Sequence, residues 1–236
     1  MTYRLIVFDW DGTLMDSEAR IVACIQTAFH EMGEPPPSLD AARNVIGLGL
    51  DEAMAMLWPE ASVAERRAVM DRYRTHFLGT NQTPSELFPG AYATLAWLNQ
   101  REYLLAIATG KSRRGLNAIL ESTGLREAFH ATRCADESAS KPAPRMLQEI
   151  MAELGVTPSE TLMVGDTEYD LQMAHNAGTG ALAACYGVHA RNRLLAHRPL
   201  GCLETLGELP NWLERSAAAG AAGQPQGKPR EPAHSD

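Results

Sequence analysis

The chain has 236 residues, 45% of them hydrophobic and 21% charged, which is the composition of a soluble globular protein with one large domain or a core carrying a smaller insert. A formal charge of −8 excludes general affinity for nucleic acid, which needs a basic surface, and no apolar run approaches membrane-spanning length. Cys24, Cys134, Cys185 and Cys202 are scattered with no C-x-x-C pair, so reduced thiols in a cytoplasmic protein are expected, rather than disulfides or a zinc site.

The first predicted element is a buried strand over 5–8, too near the N-terminus to leave room for a signal peptide. It runs into Asp9-Trp10-Asp11-Gly12-Thr13. Residues at i and i+2 of an extended chain point the same way, so Asp9 and Asp11 should share one small site, and Gly12 lets the chain turn sharply after them. Two close carboxylates repel unless a cation or a shared proton separates them, and Mg²⁺ suits such oxygen ligands. Taken alone, the stretch also fits a polar turn after a strand.

Asp16 and Ser17 can cap a helix whose apolar positions Ile21, Ile25, Ala28, Phe29 and Met32 recur at helical spacing before Gly33. Ser38 opens a short helical pattern ending near Gly47, and Gly47-Leu48-Gly49-Leu50 forms a flexible joint. Residues 51–58 read as helix, and Ser62 with Glu65 has capping-box spacing ahead of another. The region from about 17 to 80 is therefore predicted to be all helical.

Beyond it the pattern alternates. A helix near 90–100 should bury Tyr92, Leu95 and Leu98. A strand over 103–108 runs into Thr109-Gly110, and a helix capped by Ser112 stops at Gly124. A weaker strand over 129–134 follows, then a helix over 142–154. A strand over 161–164 ends in Gly165-Asp166, a helix over 169–176 stops at Gly178, a strand covers 181–185, and a last short helix covers 209–213. The residues from Ser216 onward have no periodic apolar face and are expected to be disordered. Strands alternating with helices at this spacing predict an α/β fold with a parallel sheet covered on both faces. Right-handed crossovers then bring the carboxyl ends of all strands to one edge, where ligands collect. Asp9, Asp11, Thr109, Gly110, Lys141, Asp166 and Asp170 all fall there. Each has an ordinary reading by itself, as a cap, a turn or a helix-start acid. Their joint placement does not.

This set resembles the haloacid dehalogenase-like superfamily of phosphohydrolases. Asp9-Trp10-Asp11-Gly12-Thr13 looks like the first motif of that family and Thr109 the second. Lys141-Pro142 looks like the third, and Gly165-Asp166 through Asp170 the fourth. Trp10 stands where the phosphoglycolate phosphatase-like branch more often has Leu.

The resemblance implies a Rossmann-like three-layer core over 1–16 and 86–215, a helical cap over 17–85 and a tail over 216–236. It implies Mg²⁺ held by Asp9, the main-chain carbonyl of Asp11, and Asp166, with Asp170 at the metal or supporting it. Asp9 would attack phosphorus and form an aspartyl-phosphate. Asp11 would move protons at the leaving oxygen, and Lys141 would offset negative charge. Gly12, Thr13, Thr109 and Gly110 would lie at the phosphate. If the substrate carries a carboxylate, Arg43 and the amides of Gly47 to Gly49 are the candidates to meet it; Arg43 also reads as a solvated helix charge.

The expected function is a Mg²⁺-dependent phosphatase for a small phosphorylated metabolite, with 2-phosphoglycolate as the first substrate to try and no nucleic-acid or membrane partner. A sugar phosphomutase, a pyrophosphatase, a nucleotidase and a binding protein on a dead phosphatase fold are the alternatives. A dead fold should have lost catalytic residues, which are present here.

Overall fold

The structure is a computed structural model and describes residues 3–222. Strand β1 (Leu5–Phe8) is followed by β2 (Met15–Asp16) and by helices α1 (Glu18–Glu31), α2 (Leu39–Asn44), α3 (Leu50–Leu57) and α4 (Val63–Thr75). A single π-turn at His76–Thr80 leads to β3 (Glu86–Leu87), which pairs antiparallel with β2. The chain thus leaves along one strand of a two-stranded ribbon and returns along the other.

It then continues through α5 (Ala91–Gln100), β4 (Leu104–Thr109), α6 (Arg113–Thr123), β5 (Ala131–Cys134), α7 (Arg145–Leu154) and β6 (Thr161–Gly165). The last elements are α8 (Glu168–Ala177), β7 (Gly180–Ala184), α9 (Arg191–Leu195), β8 (Cys202–Leu203) and α10 (Leu209–Ala222).

Six strands form one parallel sheet in the order β5-β4-β1-β6-β7-β8. The chain steps outward from β1 on one side and later builds outward on the other, so the strand order reverses at β1. A crevice at the carboxyl ends of the strands is expected at such a point.

The strands alternate between two apolar layers, as period-2 geometry requires. Ile6, Phe8, Ile107 and Val164 pack against α5, α6 and α10 through residues such as Leu95, Leu116 and Leu213. Leu5, Val7, Ala106 and Met163 pack on the opposite face against Met146, Leu147 and Ile150 of α7 and Met173 of α8. This is the predicted three-layer α/β core. Trp10 lies one residue out of phase with Asp9 and Asp11, so its ring enters the first layer, fully buried and edge-on to Phe129. The helices between β2 and β3 share a separate cluster that includes Ile21, Phe29, Val45, Met54 and Val69, together with Tyr169 and Val188 from the sheet side.

Helix signals read from the sequence appear at these positions. Ser62 and Glu65 form a reciprocal capping box, the Ser112 hydroxyl accepts the amide of Gly115, and Gly124 and Gly178 end their helices in the left-handed region.

Four expectations are corrected. Tyr92 is 56% exposed and does not join the buried face of α5; its hydroxyl donates to the carbonyl of Thr123. The seventh helix starts at Arg145, after two prolines, and not at Pro142. Helix α10 runs on to Ala222, so residues 216–222 are helical, as an alanine-rich stretch favours; the rest of the expected tail, 223–236, lies outside the described residues. Finally, Cys185 and Cys202 form a disulfide, while Cys24 and Cys134 are free and buried. The parallel pairing of β7 with β8 draws these two residues together across 17 positions of sequence, a proximity no local spacing reveals.

Candidate active site

Strand β1 ends where the buried ladder gives way to polar side chains. The Asp9 amide still donates to Val164 O (3.0 Å), which extends the β1–β6 register by one residue and fixes the direction of the side chain. Asp9 Oδ1 accepts the amide of Trp10 (2.7 Å) and lies 2.8 Å from Lys141 Nζ. The same ammonium lies 2.7 Å from Asp170 Oδ1. Lys141 is 1% exposed and Asp9, Asp166 and Asp170 no more than that, so the cluster is dry.

Asp166 and Asp170 are held by the turn after β6. Thr13 Oγ1 donates to Asp166 Oδ1 (2.7 Å) and the Val188 amide to Oδ2 (2.9 Å). Asp170 Oδ2 accepts both the amide and the hydroxyl of Thr167 in a capping box at the start of α8. A Cβ on Gly12 would collide with the Asp166 carboxylate, and one on Gly187 would strike both Asp166 and the Gly12 carbonyl. Glycine is required at both places by close approach.

Asp9, Asp166 and Asp170 each present a carboxylate oxygen, and these oxygens lie within 4.8 Å of one another. One lysine cannot balance three carboxylates. Burial, reinforced by the neighbouring Asp170 and Asp166 charges and offset in part by Lys141, pushes Asp9 well above the usual carboxylate range. Burial and the Asp170 charge push Asp166 up to about 7. Burial works against the Lys141 ammonium, but Asp170 and Asp9 overcome it and raise its pKa overall. Asp9 Oδ2 is buried with no hydrogen-bond partner among the described residues, a costly arrangement for a charged oxygen unless a cation occupies the space beside it. The donors are all hard oxygens, which fits a divalent ion such as Mg²⁺ and not a soft metal.

Asp11 faces a separate set of partners. Lys111 Nζ lies 2.9 Å from both of its carboxylate oxygens, and Ser17 Oγ donates to Oδ1 at 2.6 Å. Ser17 begins α1 but makes no side-chain cap bond, because its hydroxyl is turned to Asp11 instead. The Lys111 ammonium also sits 4.4 Å from the centre of the Phe77 ring in the π-turn, so one cation touches the sheet edge and the inserted helices together. Neither Lys111 nor Ser17 was singled out for the site from sequence. Lys111 did carry a signal: it stands at i+2 from Thr109 at the end of β4, the spacing that pairs Asp9 with Asp11 on the adjoining strand.

The other sequence candidates fall as follows. Thr109 is fully buried and its hydroxyl accepts the amide of Lys111 (3.2 Å). Gly110 lies directly under the loop before α3: a Cβ there would strike the Leu48 carbonyl and come within 2.8 Å of that of Gly47. Gly47 has φ +97° with its α-carbon against Thr167, and the Gly49 amide donates to Ser140 Oγ (2.8 Å). Thr13 is turned to Asp166 rather than to the open side of the edge. Arg43 is turned away from the edge, with Nε 2.8 Å from Glu18 Oε1, and it does not line the cavity over Asp9 and Asp11.

The sequence profile of the haloacid dehalogenase-like hydrolases matches residues 6–184, and the chain belongs to that family. It is 36% identical over 209 residues to "Probable phosphatase IndB" of Dickeya dadantii, spanning 87% of this chain and 91% of that protein. It is 31% identical over 204 residues to a phosphoglycolate phosphatase of Pseudomonas putida, spanning 83% of this chain and 74% of the relative. The fold is similar to that of a hydrolase from Pseudomonas syringae, with a TM-score of 0.82 at 21% identity over 91% of this chain and 98% of the other.

Proposed function

We propose that this member of the family is a Mg²⁺-dependent phosphatase that hydrolyses a small phosphomonoester through an aspartyl-phosphate on Asp9. The observation that carries the reading is the buried cluster of Asp9, Lys141, Asp166 and Asp170, with Asp9 Oδ2 unpartnered at the sheet edge. Asp9, the Asp11 main-chain carbonyl, Asp166 and Asp170 would hold the ion. When bound, it supplies positive charge that lets a carboxylate approach a phosphate dianion.

Asp9 is oriented for attack by its contacts with Lys141 and the Trp10 amide. Attack on phosphorus forms the Asp9–phosphate bond and breaks the ester bond, and the leaving oxygen takes a proton from Asp11. Asp11 then accepts a proton from the water that cleaves the acyl-phosphate. Lys111 and Ser17 hold its carboxyl group in place through both steps. The Thr109 hydroxyl and the Gly110 amide are the phosphate-binding groups, and Thr13 and Gly12 act by setting Asp166 against the ion. The helices between β2 and β3 act as a cap that excludes water from the first step.

2-Phosphoglycolate is the reference substrate, because it stands in the names of several relatives. A cytoplasmic setting belongs to this reading, although the Cys185–Cys202 disulfide is a feature that reducing compartments seldom retain. No described helix is long and apolar enough to cross a membrane.

The test is phosphate release from a panel of phosphomonoesters with and without Mg²⁺, combined with trapping of the phospho-enzyme. A label on Asp9 and free phosphate as product are expected. An isomerised sugar phosphate in place of free phosphate would transfer the reading to a mutase, and full turnover after exhaustive metal removal would refute it.

A further inference from the structure

The cavity above Asp9 and Asp11 has a volume of about 170 Å³. Its floor is the charged edge of the sheet. Its walls come from the inserted helices and are of the opposite character. Ile21 and Ile25 of α1, Leu48 in the loop before α3, Tyr73 of α4, and Phe77 and Leu78 of the π-turn all line it. Tyr73 and Phe77 stack with centroids 5.6 Å apart and planes 22° from parallel, and both line the cavity. Leu78 is 38% exposed, and its exposed surface adjoins the cavity.

Charge in the cavity points the same way. Among the described residues that line it, the cations are Lys111 and Arg74. Lys111 is engaged by both oxygens of Asp11, and Arg74 pairs with Asp71 on its own helix (2.8 Å). Arg20 lies over the Phe77 ring, donates to the Phe77 carbonyl and does not line the cavity. Asp51 and Glu52, in the first turn of α3, and Asp136 line the cavity as well. A carboxylate entering here would meet no lining cation without a carboxylate partner and would face three further acids.

We infer that the leaving group this site accepts is uncharged and predominantly apolar, an alkyl or ring-bearing alcohol, and that short carboxylates such as glycolate are disfavoured. The inference rests on the phosphatase reading above and names its substrate class. Burial of each added methylene against the Ile25–Leu48–Leu78 wall strengthens binding of the leaving group. The two rings add apolar contact for a ring-bearing leaving group.

The experiment compares kcat/KM for ethyl, propyl, butyl and benzyl phosphate and for 2-phosphoglycolate, with Mg²⁺, in the full-length protein. The alkyl alcohols have nearly equal acidity, so a trend among them reports burial and not chemistry. A rise of about fourfold per methylene is expected, the equivalent of 0.8 kcal/mol for each CH₂ removed from water. 2-Phosphoglycolate, of similar size to ethyl phosphate, is expected to fall about tenfold below it, because its carboxylate enters among acids with no unpaired lining cation. In Leu78→Ser the trend should flatten, because the substitution removes apolar surface from the wall. A flat trend in the wild type, a trend that survives unchanged in Leu78→Ser, or 2-phosphoglycolate outrunning the alkyl series would each overturn the inference. Failure to release phosphate from any of these compounds or from 4-nitrophenyl phosphate would instead strike the phosphatase reading itself.

Discussion

The sheet edge and the helices facing it solve opposite problems. At the edge, charged groups are stripped of water and stabilised by one another: Lys141 bridges Asp9 and Asp170, and Lys111 holds Asp11. In the helices, the side chains that reach the cavity are mostly apolar, and Arg43 is turned to Glu18 away from it. The edge is built from short-range spacing at strand ends, where a residue's direction follows from its place on the strand. The facing surface is built from helices whose rotation is set by packing. The two surfaces therefore have different structural origins, and they should respond differently to substitution.

The largest effect should come from the edge. Asp9→Asn is expected to lower kcat by at least about 10⁴-fold and to remove any phospho-enzyme, with the far-UV spectrum unchanged, because it removes the proposed nucleophile and keeps the shape. Lys141→Met should come next. It leaves the Asp9, Asp166 and Asp170 carboxylates buried without their lysine, and stability of the metal-free protein should fall by about 3–5 kcal/mol, read by denaturant unfolding. Mg²⁺ should restore part of that loss. A variant as stable as wild type with the metal removed would show that the cluster is not charged as described.

The third prediction uses pH. Asp166 is raised to about 7 by burial and the Asp170 charge, so the folded protein binds that proton more tightly than the unfolded chain. Its contribution to the stability of metal-free protein is full below about pH 4, the unfolded value, and is lost as pH rises toward the folded value. A bound Mg²⁺ must displace the proton, so its apparent affinity should climb over the same interval and level off above about pH 7. Calorimetric titration at several pH values checks this; a pH-independent affinity would remove Asp166 from the ion's shell.

Fourth, Lys111→Met should lower kcat by about ten- to a hundredfold, part of what a positioned general acid contributes, while Mg²⁺ binding stays intact. That split would separate the Asp11 side of the site from the Asp9 side. The smallest effect is expected for Arg43→Ala. Its pair with Glu18 is partly exposed, so less than about 1 kcal/mol of stability should be lost, and the ratio of kcat/KM for 2-phosphoglycolate over ethyl phosphate should not move. A selective loss of 2-phosphoglycolate turnover would mean that Arg43 swings to the cavity and that the two regions are less distinct than described.

The amino-acid sequence by itself determined the alternation of strands and helices and the order of the edge residues along the chain. It did so because strand period, capping chemistry and glycine stops are local: Ser62 finds Glu65, and Gly124 ends a helix, whatever lies elsewhere. Only the tertiary structure decided what reached the site from a distance. Lys111 approaches Asp11 from 100 residues away, and the Thr13 hydroxyl crosses to Asp166, 153 residues on, instead of facing the open edge. Cys185 meets Cys202 because β7 lies beside β8. Arg43 turns to Glu18 because α2 packs on α1. Such pairings depend on how helices rotate and strands neighbour one another. That is settled by burial summed over the whole fold, and no local spacing encodes it.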